Sequence, residues 1–177
     1  MKKIILASLF LLMISGVSLT AQESNTYERF GRTLNLGLGV GGYYGYYGYI
    51  GRALPVFNIN YELGVARSFT LAPFATFYTY KDGYYRETVI PVGLKATFYF
   101  DRLLRANSNW DFYLAGSLGF AIVRSGWDEG HQGGVVLHSA SPLFLDAHIG
   151  TEYHLNDRIG IFLDLSTGVS TLGLAIH

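Results

Sequence analysis

Between residues 143 and 155 the chain reads LFLDAHIGTEYHL, in which Leu143, Leu145, Ala147, Ile149, Tyr153 and Leu155 alternate with Phe144, Asp146, His148, Gly150, Glu152 and His154. Side chains repeat every two residues in a strand and every 3.6 in a helix, so this pattern specifies a strand with one apolar face. The split recurs along the chain. Leu34, Leu36, Leu38 and Val40 alternate with Asn35, Gly37 and Gly39, and Phe57, Ile59, Tyr61 and Leu63 with Asn58, Asn60, Glu62 and Gly64. From Ile90 to Phe100 the alternates are Val89, Pro91, Gly93, Lys95, Thr97 and Tyr99; from Phe112 to Ile122 they include Tyr113, Ala115, Ser117 and Gly119. Ile159, Ile161, Leu163 and Leu165 oppose Gly160, Phe162, Asp164 and Ser166, while Leu172, Leu174 and Ile176 oppose Gly173, Ala175 and His177. With a weaker segment over residues 69–80, these runs predict eight strands of about 9 to 14 residues, the length a tilted strand needs to cross a bilayer. Connections alternate in style. Short turns are expected near Ala66-Arg67 and residues 156–158, with a longer link over 101–109 on the same side; the other side carries 43–54, 81–85, 124–141 and Thr167-Gly168.

Two kinds of barrel alternate in this way, and the less apolar face distinguishes them. On a soluble barrel that face meets water and carries long charged side chains of both signs. Here it is mostly Gly, Ala, Ser, Thr and Asn, and charged residues make up 15% of a chain that is 50% hydrophobic. Small polar residues suit the crowded interior of an eight-stranded barrel. The apolar face is then the outside, which makes sense in lipid, where closure also satisfies every strand edge. The expected fold is all-β, an eight-stranded antiparallel up-and-down transmembrane β-barrel. A soluble periplasmic barrel of lipocalin type, binding a lipophilic ligand, is the alternative.

The first residues support export. Lys2 and Lys3 precede an apolar run from Ile4 to about Val17, followed by small and polar residues through Ala21. This is the layout of a secretory signal peptide, and the run falls short of the roughly 20 residues of a spanning helix. Residues 1–21 are therefore expected to be the signal and 22–177 the barrel domain. The sequence contains no cysteine, so neither a disulfide nor a bacterial lipid anchor is available to the exported chain. Formal net charge is zero. With no basic cluster to neutralise phosphates, nucleic acid is not an expected partner.

In architecture the chain resembles the small eight-stranded outer-membrane barrels of the OmpA transmembrane-domain and OmpX kind. That resemblance implies residence in the bacterial outer membrane and recognition by its insertion machinery through an alternating C-terminal strand. The segment STLGLAIH supplies the alternation but ends in His177 where the family has an aromatic.

Parity places Glu62, Lys95, Asp146, His148, Glu152, His154 and Asp164 in the lumen. A tight turn after Leu155 would set His148 opposite Asp164 and His154 opposite Arg158. Buried charges need partners, so these residues predict a polar network that plugs the lumen, in preference to a gated or proton-sensitive pore. Residues 41–51, GGYYGYYGYIG, begin where strand one leaves the hydrocarbon. Tyr44 and Tyr46 are expected in the outer aromatic girdle, while Tyr43, Tyr47 and Tyr49, with Trp127, are candidates for recognising an extracellular glycan or protein.

Lipid A-modifying barrels use a His and a Ser near the outer leaflet. In Leu137-His138-Ser139-Ala140-Ser141, Ala140 takes the serine position of that pattern and Glu152 faces inward, so no catalytic residues are expected. Asp128, Glu129 and His131 match no metal-site spacing. Neither a metal nor another cofactor is expected.

Overall fold

The computed structural model describes residues 32–41, 55–82, 84–104, 106–107, 109–127 and 143–177. The eight strands are β1 (Arg32–Gly41), β2 (Val56–Ala66), β3 (Phe69–Asp82), β4 (Tyr85–Tyr99), β5 (Trp110–Trp127), β6 (Leu143–His154), β7 (Ile159–Ser166) and β8 (Val169–Ile176). Each pairs antiparallel with the next, and β8 pairs back onto β1 to close the barrel. A short helix, α1 (Asp101–Leu104), lies in the link between β4 and β5.

Register keeps the apolar sets together. Leu38 stands opposite Phe57 on one side and Leu172 on the other, and Ile149 stands between Leu114 and Leu165. All these side chains point outward: Leu38 is 58% exposed, Phe120 63% and Leu172 58%. A continuous apolar exterior of this extent far exceeds the patches that soluble monomers carry. At the end with the short turns the exterior becomes aromatic. There Trp110 lies 4.9 Å from Tyr153 and stacks on Phe112 at 6.1 Å, and Phe112 lies 6.4 Å from Phe100 between ring centroids. Aromatic rings of this kind are favoured where a membrane barrel meets the interface.

The interior is filled in layers. Glu62, Lys95, Asp111, Asp146, Glu152, His154 and Asp164 are buried, as are the aromatic rings of Phe74, Tyr99, Tyr113, Phe144 and Phe162. Toward the long-loop end, Val56, Tyr78, Val89 and Val169 form an apolar cluster, with Ala121 against it. Such rings fit a narrow bore because glycine stands beside them. Gly150 pairs with Tyr113, whose ring occupies the space a Cβ at Gly150 would take, and Phe162 lies across its partner Gly173 in the same way.

The expected loops at 81–85 and 124–141 prove shorter. β3, β4 and β5 run to 14, 15 and 18 residues. Pairing of β2 with β3 ends at Phe57 and Phe77, whereas β3–β4 pairing continues to Asp82 and Tyr85, and β4–β5 pairing to Tyr85 and Trp127. These three strands therefore stand beyond the rest of the rim.

Two turns at the other end show why the sequence folds back there. Arg67 and Ser68 join β2 to β3, and Ser68 adopts the left-handed conformation, φ 63°, that a tight hairpin requires. Between β6 and β7 the Asn156 carboxamide accepts from Arg158 N at 2.9 Å and Ile159 N at 3.0 Å, while Leu155 N donates to Ile159 O at 2.9 Å. An asparagine turn of this kind widens the loop by its own hydrogen bonds. It also corrects the expected register. His148 pairs with Ser166 and His154 with Gly160, two residues further along than expected. The tighter register would have left Asn156 alone at the tip. A shift of two preserves the inward parity of every residue in both strands.

Candidate functional site in the barrel lumen

The lumenal residues separate into three groups. In the first, Asp164 on β7 accepts from Lys95 Nζ, from the Tyr113 hydroxyl at 3.0 Å, and lies 2.7 Å from His148 Nδ1. His148 and Asp164 thus meet diagonally although they are not register partners. His148 Nε2 lies 2.8 Å from Ser117 Oγ and 3.7 Å from Asp146 Oδ2. Asp146 in turn fastens the β7–β8 turn, with Oδ1 accepting from Thr167 Oγ1 at 2.7 Å and Gly168 N at 2.9 Å.

The second group centres on Glu62. Its carboxylate accepts from Asn35 Nδ2 at 2.9 Å, Thr70 Oγ1 at 2.8 Å and Tyr99 OH at 2.7 Å. An amide ladder leads away from it through Asn60 and Asn58 to Thr76. Three hydroxyl or amide donors are what a buried carboxylate without a cation needs.

The third group lies at the short-turn end, where Glu152 and His154 of β6 meet Asp111 of β5 and His177 beyond β8. Asp111 was not named from sequence, although the inward parity of Tyr113 extends by one step to it, and His177 was placed on the inward face without being assigned to the polar network. Arg158, expected opposite His154, is exposed on the turn and contributes its backbone instead, its carbonyl accepting from His177 N at 2.9 Å. The wider Asn156 turn moves it off the lumenal end of the hairpin.

Ser117, His148 and Asp164 stand in the order of a serine nucleophile, base and acid. That order requires a substrate to reach Ser117. The cavity beside it, lined by Asn60, Lys95, Ser117, His148 and Asp164 among others, has a volume of about 30 Å³. This accommodates about one water molecule.

The remaining expectations fall elsewhere. Tyr43, Tyr44, Tyr46, Tyr47 and Tyr49, the loop residues Asp128, Glu129 and His131, and the His138 segment lie outside the described residues, as do residues 1–31. Trp127 ends β5 opposite Tyr85 in the backbone pairing.

A closed, all-antiparallel barrel with eight strands, an apolar outer surface and a filled polar lumen is a small transmembrane β-barrel. Among solved structures, Neisserial surface protein A (NspA) matches with a TM-score of 0.53 and 13% identity over 82% of this chain and 94% of that one, a likeness of fold. The Yersinia pestis outer membrane protein Ail, in a phospholipid bilayer nanodisc, matches at a TM-score of 0.48 and 14% identity, over 82% and 97% of the two chains. No family model and no curated protein sequence matches.

Proposed function

We propose that this chain is an integral outer-membrane barrel whose lumen is closed by its own side chains and whose biological contacts are made at its surface. It is non-enzymatic in this reading, reaches the membrane through a cleaved signal over residues 1–21, and is assembled by the outer-membrane insertion machinery. The observation that carries the reading is the contrast between the two faces: leucines such as Leu38 and Leu172 more than half exposed outside, and six carboxylate residues buried inside, Glu62, Glu87, Asp111, Asp146, Glu152 and Asp164. Lipid solvates the first, and hydrogen bonds within the barrel stabilise the second. Among the described residues, an apolar layer at Val56, Tyr78, Val89 and Val169 and a lumenal cavity of only about 30 Å³ support the closed-lumen reading.

Surface contact falls to the long-loop end, where β3, β4 and β5 project and where the tyrosine-rich residues 42–54 attach. Tyrosine and tryptophan are the side chains that dominate recognition surfaces, and an extracellular glycan or protein is the partner class proposed. One experiment with two arms tests the reading. In planar lipid bilayers the refolded chain is expected to give no unitary conductance steps, and regular steps would overturn the closed lumen. Deleting residues 43–50 and 129–140 is expected to abolish binding of whole cells to host matrix or glycan arrays, whereas unchanged binding would remove the surface-contact role.

A further inference from the structure

Two imidazoles and a carboxylate converge at the short-turn end of the lumen. His177 Nε2 lies 2.7 Å from Glu152 Oε1, and His154 Nδ1 lies 3.6 Å from the same oxygen. The two rings are 5.0 Å apart, and one ligand atom from each of the three residues falls within 4.8 Å of the others. Around a tetrahedral ion bound at about 2.0–2.1 Å, ligand atoms stand about 3.4 Å apart, between the 2.7 and 3.6 Å that separate the two ring nitrogens from Glu152 Oε1. Closure onto an ion therefore draws Glu152 away from His177 and toward His154, with all three ligand atoms already within 4.8 Å of one another.

What distinguishes this cluster from a hydrogen-bonded histidine pair is the outward side of each ring. His154 Nε2 is held by Asp111 Oδ2 at 2.5 Å, and His177 Nδ1 lies 3.0 Å from Thr33 Oγ1. Each imidazole thus has its far nitrogen anchored by an oxygen and its near nitrogen aimed at one point. Metal-binding histidines are oriented in this way, by a carboxylate or hydroxyl on the nitrogen opposite the metal. Gly160 completes the cradle, because a Cβ there would overlap the Glu152 carboxylate.

Charge points the same way. Among the described residues the buried carboxylates are Glu62, Glu87, Asp111, Asp146, Glu152 and Asp164, and Lys95 is the buried lysine that faces them. Lys95 is committed to Asp164, in a different group. Among the described residues, the groups that contact the Asp111 and Glu152 carboxylates at the short-turn end are imidazoles.

We propose that Glu152, His154 and His177 form a site for a divalent transition metal, zinc being the fitting ion for two nitrogens and one carboxylate oxygen, with Asp111 and Thr33 as positioning residues. Binding of the ion takes the lone pair of His177 Nε2, so a proton held on that nitrogen moves either to Nδ1, which faces Thr33 Oγ1, or to water. The ion ties β6 to the end of β8 and, through Asp111 and Thr33, to β5 and β1, closing the barrel end like a strap.

The test uses the full chain refolded in detergent and stripped of metal. Titration of zinc against a chromogenic chelator is expected to show one zinc per chain. Affinity should fall at least about 100-fold in His177→Ala and about 10- to 100-fold in Asp111→Asn. A His131→Ala/His138→Ala variant, altering the loop histidines, is expected to bind as the parent does. Each variant is first shown to be folded by its mobility on an unboiled gel. Cobalt added to the parent provides a reading that needs no variant, and the intense visible absorption of a tetrahedral site is expected. A parent that binds no zinc below about 100 µM, a featureless cobalt spectrum, or zinc binding lost with the loop histidines and kept in His177→Ala would each overturn the site.

Discussion

Replacing Asp164 with alanine is expected to lower the folding stability of the barrel by about 3–5 kcal/mol, the cost of leaving a buried charge without its partner. Asp164 accepts from Lys95 and Tyr113 and contacts His148, so one substitution deprives three side chains of β4, β5 and β6 of the same carboxylate. Lys95 is 7% exposed, so its charge stays largely out of solvent when Asp164 is removed. The double variant Lys95→Met/Asp164→Leu removes charge and countercharge together and is expected to recover most of the loss, since a well-packed apolar pair often matches or exceeds a buried ion pair. Urea unfolding of the refolded chain in lipid vesicles measures both. Stability of Asp164→Ala within about 1 kcal/mol of the parent would show that the lumen admits water and that the network does not hold the strands.

The second large effect concerns the outside. Ile149 lies at the centre of the apolar series on β6, between Leu114 and Leu165, and is 54% exposed. Ile149→Arg on a barrel in water would change stability by no more than about 0.5 kcal/mol, as exposed surface substitutions generally do. In a bilayer the same arginine sits near the hydrocarbon midplane and costs about 2–4 kcal/mol. The sign and size therefore report the solvent around β6. Asp157→Arg, on the exposed turn at the barrel end, is the control and is expected to be close to neutral. Equal stabilities for the two variants in vesicles would contradict a lipid-facing exterior.

Much of this architecture was legible because alternation assigns a face to each residue without reference to the rest of the chain. Leu143 to His154 could be read in this way, and so could the inward positions of Glu62, Lys95, His148 and Asp164. β3 was the weakest strand to read, since Phe74 and Tyr78 point inward while Leu71 and Phe77 point outward, so both faces carry large apolar groups. Parity likewise said little about how the lumen is filled. Tyr113 and Phe162 lie inside because Gly150 and Gly173 clear space on adjacent strands, and that depends on which residues the register sets side by side. The β6–β7 register turned on Asn156, whose side chain competes locally for two backbone N–H groups and widens the turn by two residues in the pairing. The Asp111, Glu152, His154 and His177 group was hidden for a different reason. Its members come from β5, β6 and the residue after β8, and the β6–β7 and β7–β8 registers together bring His177 to Glu152.

The proposed residence of the chain as a closed barrel in the outer membrane is tested most directly by cell fractionation read on a gel. The mature chain, starting near residue 22, is expected in the outer-membrane fraction, soluble only with detergent, and is expected to migrate differently before and after boiling because the closed barrel resists unfolding by detergent at room temperature. Recovery in the soluble periplasmic fraction, with one mobility regardless of heating, would contradict it.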